Sequence, residues 1–64
     1  MEIGHKIRKI RELRNYKQEY MAEKLGISQV SYSRIESGQT KLDLRRLQNI
    51  AKILAVNQVF IINL

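Results

Sequence analysis

Gly26 is the residue that most restricts what this chain can become. Before it, the segment Lys17 to Leu25 carries Met21, Ala22 and Leu25 on one helical face, at the i, i+1, i+4 spacing of an amphipathic helix. A glycine directly after such a segment supplies the positive φ at which helices commonly end. Behind it come apolar Ile27 and then Ser28, a favourable N-cap for another helix over Gln29 to Ser37. That helix has Tyr32 and Ile35 on its inner side and stops at Gly38. No residues are left over for a loop, so the two helices must cross steeply. Ala22 is small where the crossing falls, which permits close approach.

The flanks supply what the pair needs for burial. Ile3, Ile7, Ile10 and Leu13 recur at steps of four, three and three, the pattern of a first helix. Asn15 suits its end, since asparagine tolerates the left-handed conformation. After the loop Gln39 to Leu42, Asp43 caps a fourth helix whose apolar stripe is Leu44, Leu47, Ile50, Ala51 and Leu54. Asn57 then suits the cap of a short fifth helix over Gln58 to Ile62, although Val59 to Ile62 is β-prone and a strand is the alternative. There is no proline and there are only three glycines, so breakers are few. The expected fold is all-α: a compact bundle of four to five short helices. At 64 residues this is one domain, 1–64, in which each apolar stripe must find a partner.

Charge narrows the function. Twelve Lys and Arg against six Asp and Glu leave a net charge of +6, a field that attracts polyanions. The plainer reading is that the excess only keeps a small domain in solution. Without cysteine there is neither a disulfide nor a thiolate metal site, and His5 is the sole histidine, so no metal is expected. No apolar run is long enough for a membrane span, and Met1 to Ile10 has no signal-peptide pattern, which points to a cytoplasmic chain. Ser28, Ser31, Ser33 and Ser37 have no histidine nearby; Glu19 and Glu23 look like a solvated helix face, and Asp43 is a cap. With no glycine-rich phosphate loop, neither an enzyme, a cofactor nor a small-molecule substrate is expected.

From Gln18 to Ser37 the residues read QEYMAEKLGISQVSYSRIES. This resembles the helix-turn-helix of the Cro and phage-repressor (Xre-type) family. Ala22 stands at the small position, Gly26 in the turn, and Met21, Leu25, Ile27, Tyr32 and Ile35 at the apolar positions. Arg34-Ile35-Glu36 and Ile50-Ala51 extend the likeness over nearly the whole chain, the last five residues excepted. The resemblance implies a lambda-repressor-like domain that binds double-stranded DNA sequence-specifically. It further implies a transcriptional regulator, a repressor by type, working as a homodimer on a palindromic operator. Half-sites would lie roughly 34 Å apart, one helical turn.

The family implies that Gln29, Val30, Ser33 and Arg34 face the bases. Their chemistry suits this, since glutamine pairs with adenine, arginine with guanine, and valine meets a thymine methyl. The bland alternative is a short helix with an ordinary exposed face. Gln18, and Thr40 with Lys41, match family positions that grip backbone phosphate; Ser31 and Tyr32 are further candidates, Tyr32 being better suited to the core. Arg11 and Glu36 match a family ion pair that locks the recognition helix, the alternative being two unrelated surface charges. Arg45 and Arg46 oppose the dipole in the first turn of the fourth helix, which suggests a nearby anion.

A second class of function fits the C-terminus: an antitoxin-like or regulatory module that binds a partner protein. Its support is the apolar tail Val59 to Leu64, which equally suits a homodimer seam, a lid on the core or the stump of a longer chain. A basic amphipathic helix for membrane surfaces is a poor third, because the stripe of the first helix is needed inside.

Overall fold

Three helices start at a residue whose side chain caps them, at Ser28, Asp43 and Asn57. The computed structural model describes residues 3–64. In order they form α1 (Ile3–Leu13), α2 (Gln18–Leu25), α3 (Gln29–Glu36), α4 (Leu44–Leu54) and α5 (Gln58–Ile62), with no strand among the described residues. Ser28 Oγ accepts from the Ser31 N–H at 3.1 Å, Asp43 Oδ1 from the Arg46 N–H at 2.7 Å, and Asn57 Oδ1 from the Val59 N–H at 2.8 Å. The second helix begins one residue later than its apolar pattern suggested, with Lys17 as N-cap; the third ends one earlier, with Ser37 as C-cap.

The turn is built as the sequence requires. Gly26 sits at φ 71°, ψ 30°, and its N–H reaches the Glu23 carbonyl at 3.1 Å. The Ile27 N–H reaches back to the Ala22 carbonyl at 3.0 Å, closing α2 and redirecting the chain into α3. Asn15 (φ 62°) and Ala55 (φ 58°) are also left-handed and stop α1 and α4. α2 lies across α3, α1 packs on α3 and α5, and α4 packs on α2 and α5. Between them the core collects Ile7, Ile10, Met21, Ala22, Tyr32, Ile35, Leu47, Ile50, Ala51, Leu54 and Ile61.

Four residues of the expected apolar stripes are not in that core: Ile3 and Leu25 pack partly buried against it, and Leu13 and Leu44 lie outside it. Leu13 is 83% exposed. Steps of three residues drift about 60° around a helix, so the second such step in a row carries Leu13 off the inward face as α1 ends. Arg11, four residues after Ile7, takes the inward place instead and is buried. Leu44, at the first position of α4, is 60% exposed.

The β-prone tail is helical, not extended. β-propensity expresses fit to a sheet surface, and the described residues offer no sheet. Ile61 is instead fully buried, and the Lys6 ammonium donates to the Ile62 carbonyl at 2.6 Å, pinning α5 to α1. Val59, Phe60, Ile62 and Leu64 stay about half exposed. None of the helices among the described residues is long and apolar enough to cross a membrane.

Gly4 marks the closest approach of two helices. A Cβ there would overlap the carbonyl oxygens of Ile35 and Glu36 at the end of α3. Backbone cannot yield as a flexible side chain does, so Gly4→Ala must push α1 off α3. A loss of about 1–3 kcal/mol is expected, as for other overpacked sites, read as a lower melting temperature by circular dichroism. A melt superimposable on that of the parent would show that the contact is looser than this.

Candidate nucleic-acid interface

α3 turns Tyr32, Ile35 and Glu36 inward, and helical geometry then settles which residues face out. Gln29, Val30, Ser33 and Arg34 share one continuous face about 140° wide, opposite the buried one. Gln29 and Arg34 are exposed, Val30 is 61% exposed, and Ser33 is half-buried. Eight residues at 1.5 Å rise make a rod about 12 Å long, which matches the roughly 12 Å width of a major groove.

A cleft lies along each flank of this face. On the Ser33 side, His5, Arg8, Gln18, Ser33, Glu36 and Ser37 line a cleft of about 290 Å3. On the other side, Ser31, Arg34, Thr40, Lys41, Asp43 and Arg46 contribute to a second of about 290 Å3. The fold thus sets Gln18 on one flank of the exposed face and Ser31, Thr40 and Lys41 on the other. Ser31 also belongs to the cap of α3: its hydroxyl accepts from the Ser28 hydroxyl at 3.0 Å. Tyr32 is fully buried and out of reach of any phosphate.

Beneath the face, one carboxylate holds three helices. Glu36 is only 7% exposed, and Arg11 reaches it twice, Nε to Oε2 at 2.7 Å and the second terminal nitrogen to Oε1 at 3.1 Å. The Tyr32 hydroxyl donates to Oε2 at 2.5 Å, and the Gln18 side-chain amide donates to Oε1 at 3.1 Å. Arg11 also donates to the Tyr16 carbonyl at 2.8 Å, which fixes the turn between α1 and α2. α1, α2 and α3 are therefore joined at a single residue.

The electrostatics follow from this crowding. Burial pushes the Glu36 carboxyl up, but hydrogen bonds from Arg11, Tyr32 and Gln18 outweigh it and hold the group below its ordinary 4.5. Burial, then the bond to Glu36, keeps the Tyr32 hydroxyl protonated far above its usual range. The hydrogen bond to Glu36 secures the charge on Arg11. The Tyr32 hydroxyl and the Gln18 amide are the members of this cluster that sequence reasoning did not find. For Tyr32 a signal existed, since residues four apart on a helix are neighbours. For Gln18 none did, because its partner is 18 residues away.

The Gln18 amide nitrogen has two hydrogens and Glu36 takes one, leaving one for an outside acceptor. Apart from Arg11–Glu36, the ion pair among the described residues is Arg8–Glu12 at 3.3 Å, so the cations along the second cleft have no acidic partner there. The arrangement is a short exposed helix between two polar clefts on a cationic surface. It can offer donors to base edges and to the oxygens of both flanking backbones.

Comparison with known proteins agrees with that geometry. Residues 7–57 match the family described as Helix-turn-helix. The SPbeta prophage-derived uncharacterized HTH-type transcriptional regulator YonR of Bacillus subtilis (strain 168) is 34% identical over 60 residues. That match takes in 94% of this chain and 56% of the relative, so the chain spans little more than half the length of that protein. No solved structure gives a significant match.

Proposed function

The chain belongs to the Xre-type helix-turn-helix family, and from that premise we propose that it represses transcription by binding a palindromic operator as a dimer. The observation that carries the reading is the unburied face of α3 lying between two clefts that are each bordered by hydrogen-bond donors. In this reading Gln29 and Arg34 pair with adenine and guanine, Val30 meets a thymine methyl, and Ser33 takes either partner. Gln18 holds phosphate on one flank; Ser31, Thr40 and Lys41 hold it on the other. Residues 1–64 act as one binding domain, without catalysis, in the cytoplasm with the DNA they read.

Dimerisation is supported by α5. Val59, Phe60 and Ile62 are exposed on a helix that packs on α1 and α4, and Leu64 just beyond its end is exposed too. A seam there would leave α3 free in both copies. The same apolar surface favours the second reading, a partner protein seated on α5.

Selection from a random duplex pool, repeated with Gln29→Ala and Arg34→Ala, tests the base assignments. Each variant should lose preference at its own base pair, worth about 1–3 kcal/mol. Uniform weakening without any change of preferred sequence would reduce both residues to backbone contacts.

A further inference from the structure

Arg46 is anomalous in three ways. It lies in the first turn of α4, where the helix dipole opposes a cation. It makes no ion pair among the described residues, and one terminal guanidinium nitrogen is shut off from solvent without a hydrogen-bond partner. It also lines two clefts at once, the one beside α3 and another of about 390 Å3 between α2 and α4.

We propose that Arg46 is a phosphate anchor at the joint of these clefts, extending contact with the DNA backbone past the recognition helix and around α4. The proposal rests on the DNA-binding reading above and adds a residue and a direction to it. The first cleft carries Arg34 and Lys41, the second Lys24, Arg45 and Lys52. Asp43 is the sole carboxylate lining either, and its Oδ1 accepts from the Arg46 backbone N–H. The clefts therefore gather cations without gathering anions to match. A buried donor without an acceptor and a cation at a helix start both destabilise the DNA-free protein. A phosphodiester relieves both, since its oxygens match the guanidinium fork. Rotation about the terminal side-chain torsions carries the group from its closed seat into the cleft that its stem already lines. Ser31 and Arg34 border that cleft, so a phosphate held there lies beside the bases that α3 reads.

The test is Arg46→Gln in the full chain, read for stability and for binding. Without DNA the variant should melt at the parent's temperature or higher, because a buried donor without an acceptor and a cation opposed to the helix dipole have both gone. With DNA its affinity should fall about 3- to 10-fold on selected and random duplexes alike, and the log–log salt slope should become shallower by about 0.9 per subunit. Arg46→Lys should restore the slope. A lower melting temperature together with weaker binding would show a merely structural residue, and an unchanged slope would overturn the proposal.

Nuclear magnetic resonance of the Arg46 side-chain N–H separates the sources of phosphate. A shift with inorganic phosphate marks a site that takes the free ion too; a shift with duplex alone marks one that needs the backbone. No shift with either overturns the anchor. If selected and random duplexes bind equally while the Arg46 effects persist, sequence-specific reading fails and the anchor stands.

Discussion

Glu36→Ala is expected to leave much of the protein unfolded at 25 °C. The substitution strands the buried Arg11 guanidinium, leaves the Tyr32 hydroxyl without an acceptor and frees Gln18 from α3. Removing one partner of a buried ion pair costs about 3–5 kcal/mol. A core of this size rarely supplies more than about 3–5 kcal/mol in total, so the loss is comparable with the whole stability. Urea titration followed by circular dichroism measures it directly. Arg11→Met with Glu36→Leu should recover much of the loss, since well-packed apolar pairs often replace buried ion pairs without penalty. If Glu36→Ala alone unfolds at the parent's urea midpoint, the cluster does not hold the helices together.

The same cluster shapes the dependence on pH. Glu36 is held below its ordinary 4.5, so its contribution is complete above that pH and disappears as pH falls through the folded value. Tyr32 is raised above its ordinary 10.0, so its contribution is complete below pH 10 and is lost as pH rises beyond it. Stability should therefore be level between those limits and fall on both sides. Tyr32→Phe should remove most of the alkaline fall and, by taking one hydrogen bond from Glu36, make the acid fall shallower as well.

The second large effect concerns operator geometry. Inserting about five base pairs between the half-sites should cut affinity by roughly 100-fold or more. In the proposed dimer one α3 reads only a few base pairs, so tight specific binding would need both subunits on one face of the duplex. About half a helical turn of extra DNA moves one half-site to the opposite face; about ten extra base pairs should restore part of the affinity. Phe60→Glu, at the exposed surface of α5, should mimic the insertion by dividing the dimer, with a halved mass by light scattering. This is a cleaner probe than removing the last six residues, which would take Ile61 out of the core. Indifference to spacing, with Phe60→Glu without effect, would point to a protein that reads DNA as a monomer.

How far the sequence led differs from residue to residue. The turn at Gly26 and the caps at Ser28, Asp43 and Asn57 were legible, because each depends on neighbours within a few positions. The outward face of α3 was legible too, once Tyr32 and Ile35 showed which side was buried. Leu13 and Leu44 misled, since periodicity reports the direction of a side chain and not whether another helix lies over it. The tail was legible as a short helix from its Asn57 cap despite residue types that favour strand, and the space left by α1 and α4 accepts that helix with one residue, Ile61, inserted.

Gly26 remains the sharpest case of what sequence alone determined. A turn of that length, entered and left by helices, admits few geometries, so local conformation fixes the crossing of α2 and α3. The work of Glu36 was decided elsewhere. Its hydrogen bonds come from Arg11, 25 residues away, from Gln18, 18 residues away, and from Tyr32 on its own helix. Whether those groups meet depends on three helices docking at one place, and burial there is what makes their bonds strong. The unpartnered nitrogen of Arg46 likewise exists only once α4 has packed on α2. Short-range geometry is written in neighbouring residues; the cost and use of a buried charge are settled only when the chain has closed around it.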